Sequence, residues 1–176
     1  MTEQDPLVGE PVEAQVRTLF EGMNAHDADA AVSVLTDDVV WQQPGLPGPL
    51  VGRAATADTL REMFRAFPDL SIPLDDVVVY HAPDGTRAAS HWRVTGTMTG
   101  PLDPPGFAPT GRRSEVHGMC LYEFRGGRIA RHTMIYDSLD MLTQLGLMPG
   151  PDSLQTKAMV RFQRLTAKLR RRRRRR

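Results

Sequence analysis

The stretch RSEVHGMCLYEFRGGRIARHTMIYD, residues 113–137, decides the architecture. Two runs in which apolar and polar residues alternate are joined by Arg125-Gly126-Gly127, the pattern of two half-buried strands closed into a hairpin. If the connection has three residues, with Gly127 as a left-handed bulge, Phe124 pairs with Arg128. Counting back then sets His117 opposite Ile135 and Glu115 opposite Asp137. In that register His117, Met119 and Leu121 share a face with Thr133, Ile135 and Asp137, while His132 and Tyr136 point the other way. A two-residue Gly-Gly turn shifts the pairing by one and sends His117 to the opposite face, and the residues alone leave both registers open.

Working outward toward the N-terminus, residues 86–99 and 70–81 read as two further strands joined at Pro83-Asp84-Gly85. A Pro/Gly-rich loop over 101–109 precedes the hairpin and suits either a lid over a pocket or a plain connection. Further upstream, Val12, Val16, Leu19, Phe20 and Met23 recur at helical spacing, and residues 27–35 repeat the pattern behind Asp27 as N-cap. DVVWQQ, residues 38–43, reads as a short strand. Residues 53–67 form a third helix that Pro68 stops. Three helices followed by four long hairpin-linked strands predict an α+β domain, an antiparallel sheet covered on one face by helices.

Downstream of the hairpin, residues 138–147 read as a short helix, and the Pro/Gly break at 148–152 separates a basic helix with Leu154, Ala158, Phe162, Leu165 and Leu169 on one side. The expected organisation is a disordered segment over 1–10, one domain over 11–149, and a basic helix with a polyarginine tail over 150–176. Charge follows this division: residues 1–150 hold 11 Arg against 20 acids, a net −9, and residues 151–176 hold 11 basic residues against Asp152, a net +10.

The lone cysteine, Cys120, excludes an internal disulfide and reads as a small buried hydrophobe. The histidines and cysteine show no metal-ligand spacing, the acidic N-terminal residues do not read as a signal peptide, and no apolar run is long enough to span a membrane. A cytoplasmic location is the default expectation.

Several strings together, DDVVWQQPG (37–45), FPDL (67–70), GTMTG (96–100), PTGRR (109–113) and above all GRIARHTMIYDSLDMLTQLGLMP (127–149), resemble the SnoaL-like polyketide cyclases of the nuclear transport factor 2 and ketosteroid isomerase superfamily. The resemblance implies a cone-shaped curved sheet packed by N-terminal helices, a pocket on its concave face, a dimer formed across the sheet, and no cofactor or metal. It further implies that Asp137 serves as general acid/base for an intramolecular aldol ring closure.

Asp137 follows the apolar run Met134-Ile135-Tyr136, a setting that equips a carboxylate for proton transfer, although the position equally suits the N-cap of the helix after it. His117 is its candidate partner. Trp41 and Gln43 alternate onto one face of their strand, and an indole beside an amide suits a flat oxygenated ligand. Met119, Thr133 and Ile135 complete the expected lining, with His91, which lies opposite Trp92 in facing, as a further candidate.

The function expected is a cofactor-free cyclase or isomerase for a hydrophobic, polyketide-like carbonyl compound, working by Asp-mediated proton transfer. A limonene-type epoxide hydrolase and a non-catalytic small-molecule-binding domain are the alternatives. Seven consecutive arginines, the first Arg170 and the last Arg176, suit a weak contact with an anionic partner, nucleic acid or membrane.

Overall fold

The computed structural model describes residues 9–103, 105–150 and 152–173. The disorder expected over 1–10 falls mostly outside these residues, and the first helix already begins at Gly9. Helices α1 (Gly9–Asn24) and α2 (Ala28–Val32) lead into strand β1 (Leu35–Gln42), the short β2 (Leu50–Val51) and helix α3 (Arg53–Ala66). Strands β3 (Val78–His81), β4 (Arg87–Thr97), β5 (Arg113–Arg125) and β6 (Arg128–Tyr136) follow, and then helices α4 (Ser138–Gln144) and α5 (Leu154–Arg173). The six strands form one curved sheet in the order β2-β1-β6-β5-β4-β3.

The α+β class read from the sequence is the class observed, with three local differences. The sheet is mixed, because β1 pairs with β6 in parallel while its other pairs are antiparallel. The strand expected over 70–81 survives only as β3 and a bridge from Ser71 to Thr95: Pro73, which has no N–H to give a ladder, opens a 3-10 turn at Leu74–Asp76. The second helix is one turn shorter than expected. Asp27 caps it by accepting from the Ala30 N–H at 2.9 Å, and β1 already begins at Leu35.

The β5–β6 hairpin settles the register. Arg125 pairs with Arg128 around a two-residue turn in which Gly126 and Gly127 have φ of 58° and 74°, values that both central residues of a type I′ turn require. This tight turn would have reversed the facing of β5, but Ala130 bulges out of β6 between Ile129 and Arg131 and restores the parity. Met119 therefore pairs with Ile135 and Leu121 with Thr133, and these residues do share one face.

That face is the outer one. Met119, Leu121 and Ile135 are 43%, 46% and 52% exposed, whereas Ser114, Val116, Cys120 and Tyr122, alternating with them along β5, are buried. The inner face carries the core. Val16, Leu19, Phe20 and Met23 of α1 and Leu60 and Phe64 of α3 pack into one buried cluster with Trp41, Trp92, Tyr122 and Ile129 of the sheet. Asn24 ties the end of α1 to the chain before β3 from both sides of one residue, donating to the Ile72 carbonyl at 2.6 Å and accepting from its N–H at 2.7 Å.

Candidate functional site

Between α1, α3 and the inner face of the sheet lies a cavity of about 100 Å³. Its walls are mostly apolar: Phe20 and Met23 from α1, Met63 from α3, and Trp92, Val116 and Met134 from the sheet. Met141 of α4 contributes as well, so the helix that follows the last strand folds back to the same space. Gln144 of α4 holds it there, accepting from the Glu115 N–H at 2.8 Å and donating to the Glu115 carbonyl at 2.9 Å.

Four polar residues are also among those lining the cavity: Gln43, Thr95, Ser114 and Tyr136. The Trp41 indole Nε1 donates to Gln43 Oε1 at 2.9 Å. An indole nitrogen can only donate, so the bond identifies which end of the amide is oxygen and leaves the two Nε2 hydrogens for another acceptor. Trp41 is itself held by a stack against His132, with ring centroids 3.6 Å apart and planes 18° from parallel. The Tyr136 hydroxyl donates to the Pro44 carbonyl at 3.3 Å, which leaves the phenol oxygen as an acceptor, and burial raises its pKa. Thr95 Oγ1 accepts from Arg113 at 2.9 Å and keeps its own hydrogen. Among the described residues lining the cavity none is a carboxylate or an imidazole.

Beneath the cavity lies a second set of polar groups sealed in the core. Ser90 Oγ and the Tyr122 hydroxyl are 2.8 Å apart, and Trp92 Nε1 donates to Cys120 Sγ at 3.1 Å. Trp92 can cross the strand there because position 118 is glycine: a Cβ would sit 2.4 Å from the indole. Burial pushes the Cys120 thiol up to about 12, which disarms it as a nucleophile. His132 is pushed down to about 3 by burial alone, and its Nδ1 has no hydrogen-bond partner. It is a neutral ring whose visible work is to support Trp41.

The residues expected to line the pocket divide accordingly. Gln43 lines it, and Trp41 is the buried residue behind Gln43. His91, His117, Met119, Thr133 and Ile135 require correction: they lie on the outer face of the sheet and line no part of the cavity. Their mutual grouping was legible from alternation, but alternation does not say which face the helices cover. His117 is exposed there, with Nε2 3.4 Å from Glu115 Oε1 and its ring 6.1 Å from that of His91.

Asp137 stands one residue past the end of β6, exposed, with φ of −77° and Oδ1 accepting from the Asp140 N–H at 2.9 Å. That is the N-cap geometry of α4. Its neighbour Tyr136 lines the cavity and Asp137 does not. Tyr136, Met134 and Trp92, which alternation places on the face opposite the expected lining, form part of the cavity wall instead.

Residues 16–132 match the profile of the SnoaL-like domain. Among solved structures, the chain is similar to a candidate polyketide cyclase from Xanthomonas campestris pv. campestris, 26% identical with a TM-score of 0.68, over 77% of this chain and 97% of that one. A candidate polyketide cyclase from Pseudomonas putida is 25% identical with a TM-score of 0.68, over 76% of this chain and 97% of the other. IdmH, a candidate polyketide cyclase from Streptomyces antibioticus, is 25% identical with a TM-score of 0.60, over 77% and 98%. Comparison with curated proteins found no match.

Proposed function

The chain belongs to the SnoaL-like domain family, and from that premise we propose that it is a cyclase- or isomerase-type protein that binds a largely apolar carbonyl compound in the cavity between α1, α3 and the sheet. The carbonyl oxygen accepts from the Gln43 amide, and the apolar walls hold the rest of the molecule in a folded conformer. The observation that carries this reading is the Trp41–Gln43 hydrogen bond, which fixes a neutral donor in a largely apolar wall. A fixed donor stabilises the charge that develops on the accepting carbonyl oxygen as the enol tautomer of a β-dicarbonyl adds to it, more than it stabilises the neutral ground state: the carbon–carbon bond forms as the carbonyl π bond opens, and the enol proton passes to the new alkoxide. Confinement of the folded conformer supplies the remainder of the acceleration. The names of the similar structures, polyketide cyclases, support a substrate of this class.

A second reading keeps Asp137 as the general base. It rests on position: Asp137 directly follows the cavity residue Tyr136 and starts the helix that brings Met141 to the cavity. The test is turnover of a panel of polyketide-like β-dicarbonyl compounds by wild type, Gln43→Leu and Asp137→Asn. Loss in Gln43→Leu with activity kept in Asp137→Asn supports the first reading, and the reverse supports the second.

The outer face of the sheet presents Val78, Tyr80, Met119, Leu121 and Ile135 as exposed apolar side chains in adjacent cross-strand rows. We propose that a second copy of the chain covers them. A Leu121→Glu, Ile135→Glu variant that sediments with the same mass as wild type would contradict this.

A further inference from the structure

Helix α5 presents a surface that the domain itself does not use. Over 20 residues, about 30 Å of helix, the side chains of Leu154, Ala158, Met159 and Phe162 are exposed, with Leu154 83% and Phe162 69% accessible. Leu154, Ala158 and Phe162 are spaced by four and form one stripe. Lys157, Arg161 and Arg164 form a second stripe alongside it. The sequence continues into the arginine run that begins at residue 170 and gives residues 151–176 a net charge of +10. The side chains of that run lie outside the described residues.

We propose that α5 lies on an anionic membrane surface, with Leu154, Ala158 and Phe162 entering the headgroup layer and the basic stripe meeting lipid phosphates. The helix is not apolar enough to cross a bilayer, so an in-plane arrangement is the one its composition allows. The occupant must offer apolar contact and negative charge side by side. On the body of the protein, carboxylates beside the exposed apolar residues of the sheet and on the helical layer are already engaged by arginines. Next to the exposed apolar residues of the sheet, Glu115 is paired with Arg93 and Glu123 with Arg131. On the helical layer, Asp37 is paired with Arg53, and Asp29 and Asp58 with Arg61. Nucleic acid supplies charge but has no use for a stripe of leucine and phenylalanine, whereas an acidic lipid bilayer supplies both.

The full chain is to be sedimented with phosphatidylcholine vesicles, with and without 30% phosphatidylglycerol, in parallel with fluorescence polarisation on a 30-base-pair DNA duplex. The expected result is binding to the mixed vesicles, at least tenfold weaker binding to phosphatidylcholine alone, and a loss of tenfold or more for the Leu154→Glu, Phe162→Glu double variant. Both positions are exposed, so the variant is expected to keep the wild-type melting temperature, which a parallel melt verifies. Three results would overturn the proposal: no binding to either vesicle, vesicle binding that the double variant leaves unchanged, or tighter binding to the duplex that is indifferent to Phe162.

Discussion

The Nε1 of Trp41 donates to the Oε1 of Gln43 at 2.9 Å, and this bond sets which atoms of the amide face the cavity. Replacing Gln43 by Leu keeps the volume and removes the donor, so turnover of a carbonyl substrate is expected to fall by about 10²- to 10³-fold, the usual effect of deleting one fixed donor to a developing oxyanion. Trp41→Phe keeps an aromatic ring against His132 but frees the amide to rotate. Its loss is expected to be smaller and to appear in kcat rather than KM. Steady-state kinetics on the two variants checks the order.

Asp137 separates structural from chemical work. Asp137→Ala deletes the cap of α4 and is expected to cost about 1 kcal/mol of stability, while Asp137→Asn, whose side-chain oxygen can still accept from the Asp140 N–H, costs little. If the carboxylate serves only as the cap, Asp137→Asn also keeps turnover within a few-fold. Urea melts and initial rates on the same preparations read both effects.

The buried His132 imposes a pH dependence whose sign follows from its depressed pKa. In the folded protein the ring stays neutral down to about 3, whereas in the unfolded chain it takes a proton near 6.5. Below that value the unfolded state binds a proton the native state refuses, so stability falls as pH falls through the window from 6.5 toward 3, by roughly 1.4 kcal/mol per pH unit. Between pH 7 and pH 5 wild type is therefore expected to lose roughly 2 kcal/mol more than His132→Phe, a variant that retains an aromatic ring against Trp41. Equal pH slopes for the two proteins would contradict this account of the buried ring.

Most of the fold was legible because its signals are local. Helical spacing marked α1 and α3, Asp27 marked the start of α2, and two glycines marked the hairpin between β5 and β6. The site was less legible, for two physical reasons. The facing of His117 depended on two one-residue events, the type I′ turn and the bulge at Ala130, whose effects cancel, and a bulge leaves no mark in composition. More important, alternation sorts a strand into two faces without naming the inner one. On β5 the small and aromatic set, Ser114, Gly118, Cys120 and Tyr122, faces the helices, while Met119 and Leu121, which look like core, face outward. Gln43, the residue directly after β1, was legible because the strand has a single tryptophan two residues before it, on the same side.

The most direct test of the central claim is the carbonyl stretching frequency of a bound aromatic ketone, 1-tetralone, measured by infrared difference spectroscopy in wild type and in Gln43→Leu. A carbonyl that accepts from the Gln43 amide absorbs at lower frequency than the same ketone in an apolar solvent, and the shift disappears in the variant while the ketone still binds. A bound ketone whose carbonyl frequency is the same in both proteins would contradict the claim that Gln43 is the group that takes the substrate's oxygen.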